Sequence, residues 1–440
     1  MILEILFGII IWLTFIYFKS SLFGGKNNDY KVPNGPSFIV WFINYLYNYY
    51  YPSSSSSTST SISSSSSYSS SFSEQSSERT ILKWFRDYNQ DSYSSSFFGR
   101  AMIFTKNAEI CKSVLTAPVG DYEKPPDSSG VLIRLARNSI LMTEGKQWQK
   151  QRDIIACAFS NTKVRSMEST MQSFTLETIH TLKQKEGKEG QKMTIDIHQL
   201  MTTLTFDIIG ILSIGQKFSD HGTTSTNFHF ILDEMIRPIR RLSSYIPLPS
   251  DKALNLSIKQ LELIIQNEID KSNNNNNNNN QDTLLNYLLN HPSNLNNQEI
   301  MSNIMTFLLA GHETSANLLT FTLYLLSVHQ EIQNDLFNSI NNNNNNNDND
   351  LLEWVILETL RLFPPAPMIG RTVMNDGTVL PGDWKLRKDS LILISVYALH
   401  RNEKVYPSPN QFNPYRWKTL NQSTLNSNFI PFSSGSRIYY

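Results

Sequence analysis

Four short stretches of this chain carry side chains that could do chemistry. Ala310-Gly311-His312-Glu313-Thr314 places a bare backbone position, a carboxylate and a hydroxyl within about one helical turn. Gly311 and Thr314 are three apart and share a helix face. A mid-helix glycine costs about 1 kcal/mol relative to alanine, and in return another group can approach the backbone closely. A hydroxyl beside such a groove can relay protons that an adjacent carboxylate replaces. The same pentapeptide also fits a helix that simply packs tightly at its glycine.

Glu358-Thr359-Leu360-Arg361, followed by Phe363-Pro364-Pro365, sets opposite charges on one helix face. Exposed to water, such a pair contributes little. Phe412-Asn413-Pro414-Tyr415-Arg416-Trp417 brings a further arginine in an extended, Pro-punctuated segment. A second cation near Glu358 would make a buried charge network reasonable, because buried charges need partners. The fourth stretch is Phe432-Ser433-Ser434-Gly435-Ser436-Arg437-Ile438, followed by Tyr439 and Tyr440.

These stretches need elements to hold them. Apolar residues recur at three and four positions over residues 147–185, 194–216, 254–271 and about 298–338, which predicts helices. In the last of these, Ile304, Phe307, Leu308, Leu318 and Leu319 mark the buried stripes. Alternation over Phe98–Phe104, Arg371–Val379 and Leu391–Val396 predicts short strands. The expected fold is mainly α with small β-sheets. Ser53–Ser77 is mostly serine and cannot bury enough apolar surface to offset its ordering entropy, so residues 53–78 read as a disordered insertion. The asparagine tracts at 273–280 and 341–347 read as loop insertions between helices.

Composition narrows the function. Lys plus Arg and Asp plus Glu number 38 each among 440 residues, and no basic stripe interleaves with aromatics, so nucleic acid is not an expected partner. Cys111 and Cys157 are the only cysteines, too few for a disulfide framework or a cysteine zinc site. Ile5–Phe18 is apolar except for Thr14, and Lys19, Lys26 and Lys31 follow it. Residues 1–24 therefore read as a membrane anchor that leaves the body in the cytosol, with an interfacial or cleaved segment as the other reading. Residues 25–52 contain the rigid turn Pro33-Asn34-Gly35-Pro36 and a second apolar run, Phe38–Tyr51, suited to an interfacial helix.

Taken in order, the four stretches resemble those of the haem-thiolate monooxygenases, the cytochrome P450 family. Trp148-Gln149-Lys150-Gln151-Arg152 is similar to that family's propionate-holding tryptophan and arginine, and Arg371, shortly after Pro364, resembles another propionate arginine. The likeness covers nearly the whole chain apart from the low-complexity tracts. It implies a bound haem, an apolar small-molecule substrate into which oxygen is inserted, an NADPH-dependent reductase as electron donor, and the endoplasmic reticulum membrane as location. By the same likeness Thr314 and Glu313 support proton delivery, and Gly311 opens the distal groove. Trp148, Arg152, Arg371 and Arg437 hold propionates by charge-assisted hydrogen bonds. Phe432 and Gly435 shape the loop under the iron, and Glu358, Arg361 and Arg416 form a structural ion network.

The likeness fails at one residue. Tyr439 stands where the family carries its axial cysteine, and Tyr440 is the last residue. A thiolate's electron donation favours O–O cleavage, and a phenol does not reproduce it. Residues 79–440 thus read as an incomplete domain of the P450 type, lacking the helix and β elements that follow the thiolate loop. Apolar faces of the long helix and of the Glu358 helix should then be bared. The expected status is an inactive monooxygenase, as a pseudogene product or a truncated gene model. An intact enzyme whose gene model ends wrongly and a non-catalytic, membrane-anchored binding protein are the alternatives.

Overall fold

The computed structural model describes residues 77–97, 100–126, 130–186, 194–220, 222–236, 248–274, 283–342 and 350–438. The anchor, the hinge, most of the Ser-rich stretch and Tyr439 lie outside the described residues, as does most of each asparagine tract. The fold is mainly helical with small sheets, as expected. The chain divides into two compact units: one holds the described residues up to Pro125 and from Ala366 onward, the other Pro126–Pro365.

The first unit is built on a five-stranded sheet ordered β1-β2-β7-β4-β3. Its strands are β1 (Ser92–Phe97), β2 (Arg100–Thr105), β3 (Tyr122–Glu123), β4 (Met368–Val373) and β7 (Leu391–Ser395). A hairpin of β5 (Thr378–Leu380) and β6 (Trp384–Leu386) stands apart from it. β2 runs parallel to β7 with Phe104 opposite Leu393, and β7 runs antiparallel to β4 with Ile392 opposite Arg371. Arg100 Nε donates to the Asp389 carbonyl at 2.6 Å, tying together residues 289 apart in sequence. Ile103, Ile392 and Ile394 form a core with Ile110, Val114 and Leu115 of the helix Ala108–Leu115. Asn107 caps that helix, its Oδ1 accepting from the amides of Glu109 and Ile110. A first helix, Ser77–Asp87, places Ile81 and Phe85 against Tyr93 and Phe104. It begins inside the segment read from sequence as disordered insertion, because Ser77 and Glu78 form its first turn.

The second unit is organised around the helix Asn297–Val328, 32 residues long. A capping box starts it: Asn296 Oδ1 accepts from the Glu299 amide, and the Glu299 carboxylate accepts from the Asn296 amide. The apolar period continues past residue 328, yet the helix ends at His329 and a second one runs Gln330–Asn342. No glycine or proline marks the break, so periodicity alone reads through it. Residues 147–185 likewise resolve into three helices, Gly145–Ala158, Asn161–Ser166 and Glu168–Glu186. The helix Ile197–Ile214 is apolar and long enough to cross a membrane by length and composition, but half of it is buried. Its Phe206 packs with Phe218, Phe228, Ile304 and Leu308 in the unit's core. Leu319 and Leu323 on the long helix, and Leu352 and Ile356 on Asp350–Leu362, are exposed.

Candidate functional site

In the second unit the pentapeptide Ala310–Thr314 lies mid-way along the long helix. Thr314 Oγ1 donates to the Ala310 carbonyl at 2.6 Å, and Glu313 Oε1 accepts from Asn317 Nδ2 at 3.2 Å. Both side chains are partly buried. The carboxylate and hydroxyl are therefore held by their own helix. At Gly311 the structure settles which neighbour comes close. A Cβ there would stand 3.0 Å from Ile209 Cδ1 and 3.1 Å from Ile209 Cγ1. The missing side chain leaves room for Ile209 of the facing helix Ile197–Ile214. That helix grips the same turn again through Thr205, whose hydroxyl donates to the His312 carbonyl at 3.1 Å.

His312 points the other way from Thr314, since residues two apart lie about 200° around a helix. It is fully buried among Phe206, Phe228 and His229. Burial first, then the neighbouring His229 and His198, push its pKa down from 6.5 to about 3. The folded unit therefore keeps this ring neutral while the unfolded chain takes a proton below about pH 6.5. Stability linked to His312 is complete above that pH and is lost as pH falls towards 3. At about 1.4 kcal/mol per pH unit, denaturant unfolding at pH 5 is expected to show a loss of about 2 kcal/mol relative to pH 8. His312→Leu should remove that part of the slope; an unchanged slope would count against the assignment.

Glu358 and Arg361 form a bidentate pair on the helix Asp350–Leu362. Arg361 Nε donates to Glu358 Oε2 at 2.9 Å and Nη2 to Oε1 at 2.8 Å. Both side chains are fully excluded from solvent. This is far from an exposed pair, and its energetic weight rises accordingly.

Trp148 and Arg152 lie one turn apart on Gly145–Ala158, Trp148 buried and Arg152 partly so. A polar network that sequence reading did not identify holds this helix to the long one. Asn303 Nδ2 donates to Gln151 Oε1 at 3.1 Å, Gln151 Nε2 donates to the Asn138 carbonyl at 2.8 Å, and the Ile140 amide donates to Asn303 Oδ1 at 2.9 Å. Gln151 and Asn303 are both completely buried. The available signal was an asparagine beside the apolar stripe of Ile300, Ile304 and Phe307, where a polar side chain needs a partner.

The remaining predicted residues belong to the first unit. Arg371 is nearly enclosed on β4, and its Nη1 donates to the Gly370 carbonyl at 2.8 Å. Arg416 is buried too, but in a 3₁₀ turn, Pro414–Lys418, and not in an extended segment. Asn413 Oδ1 accepts from the Tyr415 amide and so nucleates that turn; Arg416 Nη1 donates to the Pro407 carbonyl at 2.9 Å. Gly435 opens a short 3₁₀ turn, Gly435–Arg437, at φ +73°. A Cβ at that glycine would meet the Leu115 carbonyl oxygen at 2.1 Å, so the loop lies directly on the end of the helix Ala108–Leu115. Phe432, one turn earlier, is about half exposed.

By side-chain chemistry, guanidinium groups and an indole N–H are donors suited to the carboxylates of a haem edge. Cys111 is buried and its thiol is pushed up to about 12 by burial. Cys157 is exposed at the end of Gly145–Ala158 and donates to the Asp153 carbonyl at 3.5 Å. Neither follows the Gly435–Arg437 loop. Among the described residues, no group of three or more His, Cys, Asp or Glu could hold a metal ion.

The cytochrome P450 family model matches residues 72–438. Cytochrome P450 525A1 of Dictyostelium discoideum is 42% identical over 524 residues, covering 98% of this chain and 87% of that protein. A cytokinin hydroxylase of Arabidopsis thaliana is 28% identical over 321 residues, covering 68% of this chain and 61% of its own length. Among solved structures, the haem domain of cytochrome P450DA superposes with a TM-score of 0.70 at 20% identity, covering 82% of each chain. That last likeness concerns the fold alone.

Proposed function

The chain belongs to the cytochrome P450 family, and from that premise we propose that its body is built for inserting oxygen into an apolar small molecule. The observation that carries this reading is the turn at Glu313-Thr314, where a carboxylate and a hydroxyl are fixed in mid-helix by Asn317 and Ala310. Haem with a thiolate ligand supplies the oxygen chemistry of this family. The chain's own part is to hold and move protons at Thr314 Oγ1 and the Glu313 carboxylate. Trp148, Arg152, Arg371 and Arg437 bind propionates, and Phe432 with Gly435 shapes the loop beneath the ring. Glu358 and Arg361, with Arg416, form the structural network.

With Tyr439 in the place of the axial cysteine, the chain is inactive in that chemistry. The residue after Ile438 is a phenol, Tyr439, and neither thiol is placed to replace a cysteine there. Residues 1–24 anchor the protein in the endoplasmic reticulum membrane, as the apolar run Ile5–Phe18 and the lysines after it suggest. The body faces the cytosol, where an NADPH-dependent reductase is the electron donor. Residues 25–52 form the hinge, the serine-rich insertion follows from residue 53 up to the helix Ser77–Asp87, and the body with its asparagine-rich loops begins with that helix.

The full chain, expressed with haem supplied, tests both halves of the reading. Haem is expected to co-purify, and the reduced carbon-monoxide difference spectrum is expected to lack a thiolate-type band. A thiolate-type band would overturn the inactive status. Failure to retain any haem would remove the assignment of the propionate residues.

A further inference from the structure

His312 occupies the central position of the Ala310–Thr314 turn, yet no part of the proposed chemistry uses it. It is fully enclosed, and neither ring nitrogen has a hydrogen-bond partner among the described residues. Thr202, on the facing helix Ile197–Ile214, is 1% exposed and its Oγ1 is in the same condition. The two residues are joined through Thr205. Its hydroxyl lies 3.1 Å from the His312 carbonyl oxygen and 3.2 Å from that of Thr202.

Thr202 departs from the habit of its neighbours. A helical threonine ordinarily satisfies its hydroxyl on the carbonyl four residues back, as Thr203, Thr205, Thr306 and Thr314 do here. Thr202 makes no such bond, so its hydroxyl is left for a partner off its own helix. His312 has a related need. Its N–H can rest against an aromatic face, and Phe228 meets the ring edge-on at 5.3 Å and 81°. Its other nitrogen, unprotonated because the ring is held neutral, must accept a hydrogen bond, which a ring face cannot donate. Two such groups left dry at one helix interface would each carry the full desolvation penalty.

We propose that this interface binds one ordered water molecule, which donates to the acceptor nitrogen of His312 and bonds the hydroxyl of Thr202. A buried water needs two to four polar partners. His312 and Thr202 supply two. The ligand must both donate and accept. The site lies behind the long helix, about 200° around its axis from Thr314, and is separate from the proton-handling face.

A double-mutant cycle with His312→Leu and Thr202→Val in the full chain tests this, measured at pH 8 where His312 is neutral folded or unfolded. With the water in place, each single variant strands its remaining partner, and the folding equilibrium constant falls about fivefold. The double variant removes every stranded group and recovers most of that loss, so the two effects are strongly non-additive. If the interface is dry, each single variant raises the folding constant and the double variant raises it by the product of the two; that result overturns the proposal. Should a variant fail to fold, a crystal structure of the unaltered chain at a resolution that shows waters decides. Density within hydrogen-bond distance of both side chains supports the site, and an interface without it refutes the site.

Discussion

Replacing Glu358 with alanine is expected to lower the stability of the unit Pro126–Pro365 by about 3–5 kcal/mol, enough to unfold it at moderate denaturant. The two partners are fully buried and share both hydrogen bonds of a bidentate pair. Removing the carboxylate leaves the Arg361 guanidinium in a dry site without the group that offsets its charge. That penalty, rather than the net value of the pair, sets the magnitude. Glu358→Gln keeps one acceptor and the side-chain volume, so it should cost less. A double replacement with apolar residues of similar size should cost less than either single change. Chemical denaturation followed by far-ultraviolet circular dichroism reads all four proteins. A Glu358→Ala variant within 1 kcal/mol of the unaltered chain would show that water reaches the pair.

Gly435→Ala should be nearly as damaging, for a different reason. At φ +73° an alanine must adopt the left-handed region, at about 1–2 kcal/mol. Its methyl group would also lie 2.1 Å from the Leu115 carbonyl oxygen and 3.0 Å from the Leu115 carbonyl carbon. Backbone cannot rotate aside as a side chain can, so the loop or the end of the helix Ala108–Leu115 must shift. Overpacking of this kind adds about 1–3 kcal/mol, for a total of about 2–5 kcal/mol. Gly377→Ala separates the two contributions: φ is +75° there, but nothing lies within 4 Å of the added methyl. Limited proteolysis at Arg437 should accelerate strongly for Gly435→Ala and little for Gly377→Ala. Equal sensitivity in both variants would mean that the contact with Leu115 carries no weight.

What the sequence disclosed and what it withheld follow from the range of the interactions involved. The spacing of Glu358 and Arg361 showed that they share a face, because that depends only on helix geometry. It could not show that the face is dry, which depends on everything packed around it. Gly311 was legible as a place where something approaches the backbone, whereas Gly435 stood out only as part of a loop. Ile209 and Leu115, the groups that do approach, are far away in sequence and left no local mark. Arg416 was assigned to extended chain because Pro414 suggested it, whereas the Asn413 side chain folds the segment into a 3₁₀ turn. Gln151 and Asn303 were passed over because each is unremarkable alone; only their meeting across two helices gives them a role. The end of the long helix at His329 was missed because apolar spacing persists across it.

The pairing of β2 with β7 also governs how the protein is made. Arg100 and Asp389 are 289 residues apart, and the strand that completes the sheet emerges from the ribosome long after the one it joins. At about 5–20 residues per second, β2 waits roughly 15–60 s with its ladder groups unpaired on the side β7 will occupy. The whole unit Pro126–Pro365 is synthesised in that interval and can fold first. An unpaired strand edge of this kind favours aggregation, and slowed translation between residues 126 and 365 should raise aggregation before it affects the finished fold.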